Sequence, residues 1–136
     1  MTEAAQVNEF ARRYTAAWSS GEPARVADCY ASQGSLSIND GPASVGRTAI
    51  AEAARGFMET FPDLKVRMDR IVVQGDCTEY HWTLTGTSTG PGGTGKRVRI
   101  SGFEVWKLGR DGLIAASQGT FDSAEYQRQL EYGFEG

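Results

Sequence analysis

The sequence is poor in the residues on which most metal and nucleophilic chemistry depends. Its 136 residues include one histidine, His81, and two cysteines, Cys29 and Cys77. The cysteines stand far apart, form no CxxC pair and sit in a chain without a secretory signal, so free thiols in packed positions are expected. No Cys, Asp or Glu stands at ligand spacing around His81, and no metal site is predicted. Positive charge is also scarce: 14 Lys+Arg against 17 Asp+Glu give a net charge of −3. That is the wrong sign for tracking a phosphate backbone, and nucleic acid is not expected as a partner. No run approaches eighteen apolar residues, and the first thirteen residues carry Glu3 and Glu9 ahead of Arg12 and Arg13 with no apolar signal core. The expectation is a full-length cytoplasmic protein that does not cross a membrane. What is present, 40% hydrophobic and 10% aromatic residues, suits a single globular domain over residues 1–136 that buries about two-thirds of its unfolded surface.

The texture of the chain changes near residue 62. Val7, Phe10, Ala11, Tyr14, Ala17 and Trp18 recur at helical spacing and form one apolar stripe, which Ser20-Gly21 ends. Pro23 suits the first turn of a second, short helix that runs to about Tyr30 and buries Val26 and Tyr30. Ser35-Leu36-Ser37-Ile38 alternates like a short strand, and Asn39-Asp40-Gly41-Pro42 marks a turn. A third helix follows from about Arg47 with Ile50, Ala54, Phe57 and Phe61 on its buried face, and Pro62 stops it. Four extended segments come next, at about 64–74, 77–89, 96–108 and 113–121. They are joined by Gln74-Gly75-Asp76, by the Gly90 to Gly95 loop and by Arg110-Asp111-Gly112, which implies an antiparallel meander. Asp122 then caps a terminal helix, with Glu125 completing a capping-box-like pair. The prediction is an α+β fold: three N-terminal helices packed on a curved antiparallel sheet, with a short C-terminal helix.

Two motif matches carry no chemistry. Gly90-Pro91-Gly92-Gly93-Thr94-Gly95-Lys96 fits the start of a phosphate-binding loop, but Arg97 breaks the pattern and Val98-Arg99-Ile100 continues as a strand, so a flexible hairpin loop is the better reading. Gly86-Thr87-Ser88-Thr89-Gly90 fits a nucleophile elbow without the strand-to-helix turn that the motif needs. His81 precedes Ser88 in mid-strand, where a hydrogen-bonded or solvated imidazole is the simpler reading than proton transfer.

The element order resembles the SnoaL-like polyketide cyclases of the nuclear transport factor 2-like superfamily. The residues that carry the resemblance are Phe61-Pro62-Asp63-Leu64, Trp82-Thr83-Leu84-Thr85-Gly86-Thr87-Ser88-Thr89-Gly90 and Ser101-Gly102-Phe103-Glu104-Val105-Trp106. The similarity runs over residues 10–130 and implies a cone-shaped fold enclosing an apolar pocket, commonly in a dimer; the superfamily hosts enzymes and non-catalytic binders alike. In the cyclases an aspartate just beyond the last strand is the acid and base of an intramolecular aldol closure, and its counterpart is Asp122. Ala116-Ser117-Gln118 stands where the family commonly has Glu-His-Trp. A fainter similarity to ketosteroid isomerases places Tyr14 at the oxyanion-donating tyrosine and Glu104 at the second, protonated carboxylic donor, with Ile38 at the catalytic base. Without that base, Asp40 or Asp122 would have to take over.

Read without the families, Glu104 interrupts a strand face of Ile100, Gly102, Trp106 and Leu108. If that face lines a cavity, burial raises its pKa and lets it donate to a carbonyl or enolate, with Tyr14 as a second donor and Asp122 as base; no cofactor is required. The alternatives are that Asp122 only caps its helix, that Glu104 pairs with Arg99 on a solvated face, and that Tyr14 is a core aromatic. Trp18, Tyr30, Phe57, Trp82 and Trp106 are candidate ligand-binding aromatics or plain core. Two functions stand side by side: proton-transfer chemistry on an apolar carbonyl-bearing ligand, or a binding or dimerisation module that keeps the pocket alone. Phe103 and Val105 on the convex sheet face suggest a homodimer.

Overall fold

The apolar stripe of the first helix is buried as its spacing requires. In the computed structural model, which describes residues 3–135, α1 (Glu3–Ser19) turns Val7, Phe10, Ala11, Tyr14, Ala17 and Trp18 into the core. The helix α2 (Pro23–Ala27) opens on proline and buries Val26, but it is shorter than its spacing suggests. Tyr30, expected at its end, instead starts β1 (Tyr30–Ile38). Sheet pairing overrides the helix there: Ile114 N donates to the Cys29 carbonyl at 2.9 Å, and Tyr30 lies opposite Ile114.

The two-residue β2 (Ser44–Val45) precedes α3 (Arg47–Thr60), which buries Ile50, Ala54 and Met58 and leaves Phe57 partly buried. Phe61, expected on the helix face, is the residue that caps it, and its ring is fully buried. Gly86 makes room for that ring, since a Cβ there would stand 2.8 Å from Phe61 Cβ. The meander follows as β3 (Lys65–Gln74), β4 (Cys77–Thr87), β5 (Arg97–Leu108) and β6 (Ile114–Phe121), and α4 (Ser123–Tyr132) closes the chain.

The six strands form one sheet in the order β2-β1-β6-β5-β4-β3. All neighbours are antiparallel except β1 and β6, which run parallel. That pair corrects the expectation of a wholly antiparallel sheet. A parallel pair needs a long crossover, and the connection from β1 to β6 includes α3 and three strands of the meander. Two bulges decide which side chains face the helices. In β3 the register slips between Met68 and Arg70, so Val66, Met68 and Ile71 share the core side and Arg70 is diverted from it. A second slip, between Lys107 and Leu108, resets β6 against β5.

On the outer face Thr83 Oγ1 donates to Asp69 Oδ2 at 2.6 Å and lies 2.7 Å from Ser101 Oγ. His81 sits on the same face, its Nε2 3.0 Å from Glu79 Oε1 and its ring 5.5 Å from that of Phe103. The loop after β4 is tied to the end of α3. Gly90 N donates to Thr60 O at 3.2 Å, and a Cβ on Gly90 would fall 1.7 Å from Glu59 O. Cys29 and Cys77 are free and partly buried. Among the described residues no helix is long and apolar enough to cross a membrane, and no cluster of three or more His, Cys, Asp or Glu is placed to hold a metal.

Candidate ligand cavity

Alternation on β5 sends Glu104 and Trp106 to the concave side, where α1 covers them. Glu104 is 8% exposed and Trp106 is fully buried. Three donors from three elements converge on one oxygen of that carboxyl. Tyr14 Oη donates to Oε1 at 2.9 Å, Trp106 Nε1 at 2.9 Å and Ser117 Oγ at 2.8 Å. Since Tyr14 spends its only proton on Glu104, the 2.8 Å contact between the Tyr14 and Tyr30 hydroxyls has Tyr30 as donor. The result is a directed chain, Tyr30 to Tyr14 to Glu104, closed into the core. Arg99 has no part in it.

Among the described residues nothing hydrogen-bonds Oε2, and Glu104 lines a cavity of about 60 Å³. The rest of the wall is apolar or aromatic. Trp18 and Phe57 come from the helices, Leu36 and Ile38 from β1, and Tyr80, Trp82 and Leu84 from β4. Ile100, Phe121 and Tyr126 complete the side toward α4. Among the described residues no Lys, Arg or His lines the cavity, and Glu104 is the one carboxyl that does.

Burial pushes the Glu104 pKa above its ordinary value, because the charged form loses its hydration; the bonds from Trp106, Ser117 and Tyr14 pull the other way without reversing it. When the carboxyl is protonated, Oε1 stays the acceptor of three bonds and the proton resides on Oε2, pointing at the cavity. The site then presents a hydrogen-bond donor in an apolar wall, suited to a neutral oxygen such as a carbonyl. Burial likewise holds the Tyr14 and Tyr30 phenols well above their usual range, so neither ionises near neutral pH.

The residues singled out from the sequence divide into three groups. Glu104, Trp18, Phe57 and Trp82 line the cavity. Tyr14, Tyr30 and Trp106 do not; they are fully buried in the hydrogen-bond cluster that holds Glu104, so Tyr14 serves the carboxyl rather than a ligand oxygen. Asp122 is exposed, and its Oδ1 accepts from Glu125 N at 3.0 Å as an N-cap. The reciprocal half of a capping box is missing, because the Glu125 carboxylate is held by Arg128 and Gln129 and its pKa is lowered to about 2. Asp122 stands outside the cavity wall, although Phe121 beside it and Tyr126 one turn on belong to it. Ser117 is the contributor that the sequence reading misses. It occupies the position of the histidine in the cyclase Glu-His-Trp pattern and donates to Glu104.

A model of the SnoaL-like domain family matches residues 11–117, and the chain belongs to that family. No curated protein matches it by sequence. Among solved structures it resembles TsrD from Streptomyces laurentii at 23% identity and TM-score 0.80, covering 96% of this chain and 98% of that one. A SnoaL-like polyketide cyclase candidate from Jannaschia sp. CCS1 is 19% identical with TM-score 0.76 over 93% and 92% of the two chains. A protein of ketosteroid isomerase-like fold from Catenulispora acidiphila, in complex with trimethylamine, gives 17% identity and TM-score 0.72 over 82% and 83%. The fold is therefore the ketosteroid isomerase-like, or nuclear transport factor 2-like, fold.

Removing the Tyr14 hydroxyl tests whether the cluster is integral to the fold. Tyr14→Phe withdraws one donor from Glu104 and leaves the Tyr30 hydroxyl without an acceptor, which costs about 1–3 kcal/mol. Chemical denaturation at constant m-value should show that loss, and a midpoint equal to wild type would contradict the hydrogen bonding described.

Proposed function

We propose that this SnoaL-like domain binds a neutral, apolar, carbonyl-bearing small molecule in the cavity, with protonated Glu104 donating from Oε2 to the carbonyl oxygen. One observation carries the reading: a buried carboxyl is saturated at Oε1 and open at Oε2 inside an otherwise apolar wall. A hydrogen bond from a carboxylic acid withdraws charge from the carbonyl and acidifies the adjacent C–H, so the same site supports enolisation, as in aldol cyclisation or isomerisation.

The sign of the pH dependence follows from the raised Glu104 pKa. Only the protonated form donates, so affinity is full at low pH and falls as pH rises through the folded-state value, which lies above the ordinary 4.5. Glu104→Gln keeps an acceptor for Tyr14, Trp106 and Ser117 and turns a permanent N–H donor toward the cavity. Cyclohexanone binding followed by ligand-observed NMR should weaken with pH in wild type and stay flat in Glu104→Gln. A flat wild-type profile would remove the donor role.

Asp122 is the base in the catalytic form of this reading. Asp122 follows the wall residue Phe121 in the chain, and its exposed carboxylate would meet only a ligand that reaches past that ring. Asp122→Asn preserves the cap, because Asn caps as well as Asp. If Asp122 is the base, deuterium exchange at the α-carbon of a bound ketone stops in this variant while binding and stability persist. Undiminished exchange leaves Asp122 a cap alone, and an absence of exchange in wild type favours a binding module that keeps the cavity without the chemistry.

The reading also takes a second copy of the chain as partner, with half-buried Phe103 and Val105 on the outer face beside His81. A dimer in sedimentation velocity at micromolar concentration is the expected outcome, and a monomer contradicts it.

A further inference from the structure

The outer face of the sheet carries a second depression, on the side away from Glu104. Alternation sends Leu84 and Ile100 to the inner cavity and turns their neighbours Thr85 on β4 and Arg99 on β5 outward, where both are exposed. Register sets Thr85 opposite Arg99 on one side and opposite Lys65 of β3 on the other. Two cations therefore flank one hydroxyl, each about 4.8 Å away across the sheet. Arg67 on β3 and Arg97 on β5 pair with Thr83 and Thr87, the next outward residues of β4 on either side of Thr85. The three arginines and Thr85 line a cleft of about 340 Å³.

The aspartates beside this cluster are engaged by other groups. Asp69 accepts from Thr83 at 2.6 Å and from Arg67 Nε at 2.8 Å, and the two oxygens of Asp63 accept from Thr87 N and Oγ1 at 2.7 and 2.8 Å. Among the described residues the side chains of Lys65, Thr85 and Arg99 have no hydrogen-bond or ion-pair partner. Positive charge is thus gathered locally in a chain whose net charge is −3.

The chain's own tail shows what the cluster attracts. Phe134 N donates to Arg97 O at 2.9 Å, the Phe134 ring centroid lies 5.4 Å from the Arg97 guanidinium carbon, and Glu135 Oε1 is 3.5 Å from Arg97 Nη1. That carboxylate is loosely held, since the two side chains are 69% and 71% exposed, and it engages Arg97 alone. A dianion able to engage Arg97 and Arg99 together displaces it.

We propose that this cleft binds a phosphate dianion, free or as the monoester of a small molecule, held by Arg97, Arg99 and Lys65 with the Thr85 hydroxyl donating from the floor. Phosphate fits better than carboxylate because the donors approach from both flanks of Thr85, whereas the two oxygens of a carboxylate are filled by one guanidinium. Arg99 is two pleat repeats from Phe103, about 13 Å along β5, so the site is separate from the Phe103 and Val105 patch as well as from Glu104.

Titration with inorganic phosphate and with phenyl phosphate, at ionic strength held constant with sodium chloride, tests the proposal through the arginine ¹H–¹⁵Nε resonances. Saturable shifts of the Arg97 and Arg99 signals are expected, with affinity about tenfold lower in Arg99→Gln and higher in Glu135→Gln, which releases Arg97. Both positions are exposed, so neither variant disturbs the core. Equal affinity for the two ligands supports the site with free phosphate as its ligand. Tighter binding of phenyl phosphate that is lost in Phe134→Ala supports it with a monoester lying against that ring. Shifts that fail to saturate in the millimolar range, that chloride alone reproduces, or that keep full affinity in Arg99→Gln would overturn the proposal and leave a diffuse field of surface charge.

Discussion

Everything in the site depends on one oxygen atom. Oε1 of Glu104 collects bonds from Tyr14 on α1, Trp106 on β5 and Ser117 on β6, and Tyr30 on β1 backs Tyr14. These bonds tie the first helix to three strands of the sheet through a single buried carboxyl. A partly satisfied polar cluster in a core is worse than an apolar one, whereas a satisfied cluster fixes its members in one arrangement. Here the satisfaction is complete on one side of the carboxyl and withheld on the other. That asymmetry aims Oε2 at the cavity.

Aromatic packing holds the cluster rigid. Tyr80 stacks on Trp106 with centroids 4.8 Å apart and planes at 17°, and the Tyr14 ring meets both edge-on at 5.4 and 5.1 Å. Edge-to-face contacts set the Tyr14 and Trp106 rings as well as burying them, which keeps their donors directed at Glu104. The cavity lies beyond this wall of rings. It persists because β3 and β6 are kinked by bulges and because Gly102, Gly119 and Gly86 keep side chains out of places that rings or the carboxyl occupy.

Helices and strands were legible in the sequence wherever one periodicity ran without interruption. The α1 stripe is complete residue by residue, and the four meander strands lie within a few residues of their expected bounds. Reading failed where long-range pairing overruled a local signal. Tyr30 looks like the end of a helix and is the start of a strand, and nothing in the spacing of β1 announces a parallel partner more than seventy residues on. Glu104 was legible because a carboxyl in an apolar strand face is conspicuous. Ser117 was not, for a definable reason: a turn at Arg110-Asp111-Gly112 counted without a bulge sets Gln118 opposite Glu104 and turns Ser117 outward, whereas the slip at Lys107 sets Gly119 opposite Glu104 and turns Ser117 inward opposite Trp106. The family resemblance aligned Tyr14 with a ligand donor, whereas the fold directs that hydroxyl to Glu104.

The central claim is that Glu104 is a carboxylic acid held ready to donate into an apolar cavity. The most direct measurement is a ¹³C NMR titration of the glutamate side-chain carboxyls, with the Glu104 signal assigned by its absence from the Glu104→Gln spectrum. The account predicts that this resonance titrates above the ordinary glutamate value, while the Glu125 resonance titrates well below it. A Glu104 signal that titrates at or below the ordinary value would show a carboxylate stabilised by its three donors, and the donor reading of the cavity would fall.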